Sequence, residues 1–491
     1  MTEQKKPPYG IIAILFTGAF VAIFTQTLLN VALPAIMIDL NIKDASTVQW
    51  LVTGYMLVNG ILIPASAYFI QRYSNRSIFI LAMSLFTLGT LFAGLAPTFG
   101  VLLAARMIQA AGAALIMPLL MNVMLAAFPV ERRGAAMGVF GLVMIVAPAI
   151  GPTLSGYIVE HYSWRVLFYV VLPVALIPLA LGIFKLKNLT FQNRELSLDK
   201  LSLVFSSLGF GGILYGFSSA GQRGWDDAIV LGTITIGVVS LVTFILRQLK
   251  LSEPLLEFRI YKYPMFALSS AISIVLSISM FSAMILMPIY VQTIKGISPL
   301  DSGLLMLPGA LVMGFMSPIT GKLFDKYGAK VLAITGMSIV VISTYYFSQL
   351  SLETTYLEIM FLYTIRMFGI SMVMMPVMTN GLNTLPMKAY PHGTAMNNTL
   401  QQVSGAIGSA LLITVMNTRT TSTAEDLAKS GADPVNIMKN SMMEGINYTF
   451  FISTFIAVVA LALTLFIKKP NRQVTEEEKE RVYKQVPVKE S

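Results

Sequence analysis

Two arginines sit where arginine is costly. Arg106 lies in the run LLAARMIQAAGAALIMP, Leu102 to Pro118, which is otherwise almost wholly apolar. A cation at the centre of a bilayer span costs roughly 2.5–3.5 kcal/mol on insertion scales, so it belongs in a protein interior or a water-filled cavity. Around it stand Ala104, Ala105, Ala110, Ala111, Gly112, Ala113 and Ala114, small residues that let neighbouring helices approach closely. The second arginine, Arg366, lies in LYTIRMFGISMVMMP, Leu362 to Pro376, an echo of the first run with Leu362 in the place of Leu102. Such groups can stabilise an anion or tune a protonatable neighbour. Two plainer readings stand beside this one. Arg106, about five residues from the outer end of its run, can snorkel to water. Arg366 can pair with Glu358, two turns away on a similar helix face.

Gln26 and Asn30 are four apart and share a helix face. They either line a polar cavity or hydrogen-bond between helices. No Asp or Glu lies deep in any apolar run: Asp39, Glu160, Asp301 and Glu358 fall toward the outer ends and Asp325 toward the inner end. With no cysteine there is no disulfide framework and no thiolate site. His161 and His392 have no ligand spacing around them, so no metal site is expected. A membrane enzyme would need a catalytic dyad or metal ligands within the spans, and the sequence offers none. It also lacks a GxxxxGK[ST] run, which argues against ATP as the energy source. No cofactor is expected.

The elements that must position these groups are membrane helices. The chain has 491 residues, 55% hydrophobic and only 12% charged, against about 25% charged in an average soluble domain. A span needs about 20 apolar residues. Fourteen runs qualify: 11–36, 47–70, 77–96, 101–126, 135–157, 164–184, 201–219, 228–247, 265–291, 301–322, 330–349, 356–384, 394–416 and 445–467. The basic N-terminus, MTEQKKPPYG, leads into an apolar run too long for a signal peptide, so it reads as an uncleaved first helix starting in the cytoplasm. Lys and Arg concentrate in alternate connections, among them QRYSNR (71–76), PVERR (129–133) and RQLKLSEPLLEFRIYK (247–262). That asymmetry fits an even number of spans with both termini cytoplasmic, and it accounts for the net charge of +10 without nucleic acid. The mixed-charge tail 471–491 reads as a solvated end. The polar segment from Asn417 to Gly445 is either a cap over the outer mouth or a linker, and the linker is the expected form. The Arg runs are the fourth and twelfth spans. Two six-helix halves, 1–200 and 251–470, with two additional spans at 201–250 between them, therefore fit the repeat.

Five motifs then point one way. Thr27, Asn30, Val31, Ala32, Leu33 and Pro34 in span one, and QWLVTGYML (49–57) in span two, resemble the fourteen-span drug:proton antiporter branch of the major facilitator superfamily. The acid of that span-one pattern is replaced by Thr25, beside Gln26. The loop pattern Gly-x-x-x-Asp-Arg/Lys-x-Gly-Arg/Lys is degenerate in the first half, where Ala67 and Gln71 replace Gly and Asp while Arg72 and Arg76 remain. It is intact in the second half as Gly321, Asp325, Lys326, Gly328 and Lys330. Leu102, Arg106, Gln109 and Gly112 fit Leu-x-x-x-Arg-x-x-Gln-Gly-x-Gly, with Ala110 for the first Gly. Gly141, Pro148, Gly151, Pro152 and Gly156 resemble the antiporter signature, with Ala147 for one Gly, and SWRVLFYVVLP (163–173) follows it.

The resemblance implies an all-α integral membrane protein of fourteen transmembrane helices with the major facilitator fold. It implies proton coupling through Arg106, Gln109, Gln26, Asn30 and Arg366, a hinge at the five Gly and Pro positions, and a cytoplasmic latch at Arg72, Gly321, Asp325, Lys326 and Gly328. The expected function is export of lipophilic or amphipathic drugs or toxic compounds across a bacterial plasma membrane, driven by the proton gradient. The partners are then a small-molecule substrate and the lipid bilayer, and the chain is expected to act as a monomer. The alternative is an exporter or facilitator of an anionic or neutral metabolite without tight proton coupling, which suits arginines without acids. The methionine cluster MVMMPVM (372–378) suits either an adaptable cavity or ordinary packing.

Overall fold

Long apolar runs have one low-energy solution in a bilayer when they are not part of a closed barrel. They form helices, whose backbone groups bond within the segment. The computed structural model describes residues 9–42, 45–187, 196, 198–429 and 434–468. Six helices come first: α1 (Tyr9–Asp39), α2 (Ala45–Arg72), α3 (Asn75–Gly94), α4 (Phe99–Ala127), α5 (Arg133–His161) and α6 (Arg165–Lys185). Two follow, α7 (Lys200–Arg223) and α8 (Ala228–Gln248). The last six are α9 (Pro264–Ile289), α10 (Pro299–Tyr327), α11 (Ala329–Phe347), α12 (Tyr356–Leu382), α13 (Tyr390–Lys429) and α14 (Pro434–Thr464). Among the described residues, 12 helices are long and apolar enough to cross a membrane. α5 is not in that set, and α9 contributes a shorter apolar stretch, Pro264–Met280.

Local chemistry starts and stops these helices. Asp199 and Asp227 accept amide bonds at the starts of α7 and α8, and Ser74 and Ser298 do so for α3 and α10. Thr355 and Glu358 form a reciprocal cap at α12. Gly328, alone between α10 and α11, has φ +82°, a conformation that a side chain would strain. Its place in the loop pattern is explained by that one-residue turn.

The expected linker at 417–445 is not a linker. α13 continues through Lys429 and α14 begins at Pro434, so both helices extend well past their apolar cores. Ser and Thr there do not break the helix, because the segment also carries good formers such as Ala424, Glu425, Leu427, Ala428 and Lys429.

The packing repeats itself with an offset of eight helices. In the first six, α1 packs on α4, α5 and α6, α2 on α4, and α3 on α4 and α6. In the last six, α9 packs on α12, α13 and α14, α10 on α12, and α11 on α12 and α14. The contacts between the two sets obey the same exchange: α5 meets α10 as α13 meets α2, and α5 meets α12 as α13 meets α4. A pseudo-two-fold relation thus joins the halves. α7 and α8 pair with each other, and α7 leans on α2 and α13, where Trp50 stacks on Tyr215 at 5.5 Å.

The polarity of this bundle is that of a membrane protein. Phe92, Ile236, Val239, Phe315 and Phe361 are exposed, while Gln109, Asn122, Arg366 and Asn380 are buried. One end of the bundle gathers the basic connections, including Arg72, Arg76, Arg132, Lys250, Lys262 and Lys388, and is called the basic end below.

Candidate functional site

Close helix approach builds the Arg106 centre. A Cβ on Gly89 of α3 would lie 2.6 Å from the Gln109 amide nitrogen and 2.7 Å from the Ala105 carbonyl of α4. Gly112 of α4 sits as tightly on Ala82 and Phe86 of α3. With α3 and α4 this close, Gln109 Nε2 donates to Thr90 Oγ1 at 2.7 Å. Gln109 Oε1 meanwhile accepts from Arg106 Nη1. The guanidinium lies 4.3 Å above the ring of Tyr55 on α2, a placement that the negative face of an aromatic ring favours. Arg106 is 1% exposed, so it does not snorkel to water. Gln109 on its own helix and the Tyr55 ring on α2 hold it in the interior, with Thr90 of α3 bonded behind Gln109.

Arg366 occupies the related place in the last six helices. Gly336 of α11 and Gly369 of α12 each press on the other's carbonyl. Gly369 stands three residues after Arg366, where Gln109 stands after Arg106, so no amide bridges this second arginine. It reaches its threonine directly, Nε to Thr344 Oγ1 at 3.1 Å. Nη2 donates to the Ser279 carbonyl at 2.6 Å and to Ser279 Oγ at 3.1 Å on α9. Glu358 is not its partner. That carboxylate accepts from the Thr355 amide at 2.7 Å, held at the first turn of α12 about 12 Å along the axis from Arg366. Neither arginine has a carboxylate partner among the described residues. Arg106 Nε and Arg366 Nη1 are buried without a hydrogen-bond partner.

A seam of small residues joins the halves. On α5, Gly134, Gly138 and Gly141 face Ser317 and Gly321 of α10, close enough that any Cβ would collide. A Cβ on Gly138 would stand 2.5 Å from the Ser317 carbonyl and 2.8 Å from Pro318 Cα. Farther along α5, Gly151 packs on Thr27 of α1, and Ser155 Oγ donates to the Leu28 carbonyl at 2.6 Å. The early part of the Gly/Pro motif therefore serves the seam between halves, and the later part binds α5 to its own half. Pro148 and Gly156 are half-buried on α5, which runs helical throughout. The side chains of Pro152 and Asn30 lie outside the described residues.

At the basic end, residues expected to form the latch contact the opposite half. Asp325, at the end of α10, accepts from the Gly134 and Ala135 amides at 2.9 Å each. These are unpaired donors at the start of α5, where a helix N-terminus favours negative charge. Lys326 turns instead over the Tyr327 ring at 5.1 Å, and Arg72 is half-buried at the end of α2. Beside this, Arg133 Nη1 donates to Asn383 Oδ1 at 3.0 Å and to the Tyr390 hydroxyl at 2.7 Å. The pseudo-two-fold counterpart is neutral: Gln71 Nε2 lies 3.0 Å from His392 Nε2, and His392 Nδ1 accepts from the Glu257 amide at 3.3 Å. Gln71 stands where the first-half pattern lost its acid, and His392 where Arg133 stands in the other copy.

At the far end a clamp joins α1 and α6 of the first half. Arg165 Nη1 and the Trp164 indole both donate to Asp39 Oδ2, at 2.6 and 3.0 Å. Arg165 Nη2 also donates to the Ala96 carbonyl at 3.1 Å. The Arg165 hydrogen bond, with that from Trp164, holds the Asp39 carboxyl below its usual range.

The structure brings Arg106 and Gln109 together. Gln26 is half-buried on α1 and not among the hydrogen-bond partners of Arg106. Sequence reasoning missed Tyr55, Thr90, Thr344 and Ser279 as partners. It also missed the amide run Asn397, Asn398, Gln401 and Gln402 on α13, where Asn398 lies 3.6 Å from Met121 Sδ on α4. The signal for the latter was present as NNTLQQ inside an apolar run. Each described carboxylate lies at a helix end, in a connection or in the extended α13–α14 hairpin.

A model of the Major Facilitator Superfamily matches residues 15–409. The chain is 45% identical to the MFS-type transporter YhcA of Bacillus subtilis, across 95% of this chain and 94% of that one. It is 42% identical to the lincomycin resistance protein LmrB of Listeria innocua, across 95% of this chain and 98% of that one. Among solved structures it resembles the human organic anion transporter MFSD10, with a TM-score of 0.61 and 12% identity over 92% of this chain and 100% of that one, a likeness of fold.

Proposed function

The chain belongs to the Major Facilitator Superfamily, a multi-pass membrane transporter and not an enzyme, and on that premise we propose that it exports amphipathic compounds by proton antiport through fourteen spans. Its substrates are uncharged or weakly basic, lincomycin among them, in keeping with the name of the relative LmrB. The basic end is cytoplasmic, both termini lie there, and the membrane is a bacterial plasma membrane. The working units are residues 1–200 and 251–470, with 201–250 as an added hairpin, 471–491 as a cytoplasmic tail and a monomer as the active form.

One observation carries the mechanism: the hydrogen bonds of Asp325 and Arg133 join the halves at the basic end. The conformation described is then closed to the cytoplasm, and alternating access consists of breaking that latch. In this cycle the proton reaches Asp325 from the outside. A proton taken up by Asp325 turns a carboxylate accepting two amide bonds into a neutral acid that accepts them weakly. The N-terminus of α5 is released and the cytoplasmic side opens. Loss of the proton to the cytoplasm lets Asp325 cap α5 again, with substrate now carried outward. Arg106 and Arg366 keep the interior positive, which discourages the proton from resting there.

A second reading has support of its own. An interior with two buried arginines, each with an unpartnered N–H, and no mid-helix carboxylate suits a neutral or anionic metabolite carried without tight coupling. Inside-out vesicles separate the two. Antiport predicts lincomycin uptake that requires an imposed proton gradient and stops with a protonophore. Uptake that runs to equilibrium regardless of the gradient would sink antiport and leave the facilitator.

A further inference from the structure

The far ends of α13 and α14 border a partly open pocket that the transport cycle above does not use. Its volume is about 450 Å³, within the roughly 300–1,000 Å³ of small-molecule sites. Met416 of α13 and Ile437, Met438 and Met442 of α14 give it an apolar wall. Asn417, Thr421 and Ser441 supply hydroxyl and amide groups, and no described lining residue is charged. Thr420 Oγ1 is buried against Gly445 of α14, with no hydrogen-bond partner among the described residues.

The location makes the methionines unusual. Met416 closes the apolar run 394–416 of α13, while Ile437, Met438 and Met442 precede the apolar run 445–467 by up to about 12 Å along α14. An apolar wall before that run is not needed for contact with lipid tails, yet Met438 is 65% exposed. Nor does the wall close on itself. Gly445 lets the helices meet at the base, where a Cβ would stand 2.7 Å from the Met416 carbonyl. Above that point small residues, Ala424 and Ser441, leave the space open. Arg419 and Glu444 pair at 2.9 Å, with Arg419 also 5.3 Å from the Tyr448 ring centre, so the nearby charges answer each other. They call for no charged ligand.

We propose that the α13–α14 hairpin holds a second, outer binding site for the exported compound itself: an uncharged or weakly basic amphiphile, its hydrocarbon part on the methionines and its hydroxyl or amide groups on Asn417. Methionine is adaptable and suits ligands of varied shape. This rests on the export reading for the identity of the occupant, while the cavity stands on its own.

The chain has no cysteine, so Thr421→Cys gives one reporter within the cavity. Its alkylation by a membrane-impermeant maleimide is measured in nanodiscs with and without lincomycin. The expected result is at least threefold slower alkylation with lincomycin, with Lys429→Cys unaffected. Filling the cavity with Ser441→Trp, or from the other wall with Ala424→Trp should the first not fold, abolishes the protection. Equal rates with and without lincomycin, in a protein that exports lincomycin from vesicles, overturn the site and spare the export reading. Protection without any export overturns the export reading and spares the site. A cysteine already protected in nanodiscs and freed in detergent means a lipid occupant, and overturns the proposal.

Discussion

At the scale of single residues, the informative comparison is between the two arginines. Each is enclosed, each is turned toward a threonine on the neighbouring helix, and each lacks a carboxylate partner. Gln109 spans the gap for Arg106, while Gly369 removes it for Arg366 by letting α11 close in. Hydrogen bonds to charged groups contribute about 1.5–3 kcal/mol, and a buried charge stripped of a partner costs more. Gln109→Leu should therefore lower the unfolding temperature measurably and cut lincomycin export at least tenfold, since Arg106 keeps only the Tyr55 ring. Unchanged melting and export in the purified variant would mean that Gln109 does not build the centre. Arg106, Gln109 and Arg366 were legible from sequence because a cation in an apolar run admits few explanations. Tyr55, Thr344 and Ser279 were not, because a tyrosine, threonine or serine in a span is unremarkable until three-dimensional packing gives it a partner.

At the scale of elements, the glycines divide the labour of α5 between α10 and α1, and the loop pattern resolves into parts with separate reasons. Gly328 makes the turn, Gly321 permits the seam and Asp325 caps α5 across the halves. Sequence pattern indicated that these residues matter but not that Asp325 accepts from backbone amides of α5, since an unpaired amide leaves no mark in a sequence. The polar 417–445 stretch misled for a related reason: polarity marks exposure to water and says little about where a helix stops. The α7–α8 hairpin offers its own test. Arg247 Nε donates to Asp199 Oδ2 at 2.7 Å, and that bond pulls the Asp199 carboxyl down to about 2. Its contribution is present above the ordinary carboxylate value near 3.9 and is lost as pH falls through the depressed one. Asp199→Asn keeps an oxygen to cap α7 and removes the ion pair. Wild type should melt higher than the variant from pH 8 to about 5, by no more than about 1 kcal/mol for a half-exposed pair, and the gap should close as pH falls from 4 toward 2. A gap independent of pH in a thermal scan would assign the effect to capping.

At the scale of the whole molecule, the eightfold helix offset and the exchange of contacts between halves make the latch a pair of related joints with different chemistry. One is ionic, Asp325 against the α5 amides with Arg133 beside it; the other is neutral, Gln71 against His392. A symmetric pair of joints would respond alike to a proton, whereas in the proposed cycle a proton would weaken the Asp325 joint and leave the Gln71–His392 contact in place. If the halves rock, both joints must part in every cycle. The double variant Gln71→Cys, His392→Cys places two thiols on facing helices whose longer native side chains meet at 3.0 Å, in a chain with no other cysteine, with a gap for a short disulfide-containing bis-thiol reagent to span. Crosslinking with that reagent should lock the basic end shut and abolish lincomycin export, and reductive cleavage should restore it, with each single variant insensitive to both treatments. Export that continues at full rate after complete crosslinking, verified by mass, would show that the seam beside α2 and α13 does not open during transport. The moving joint would then have to lie at α5 and α10 alone.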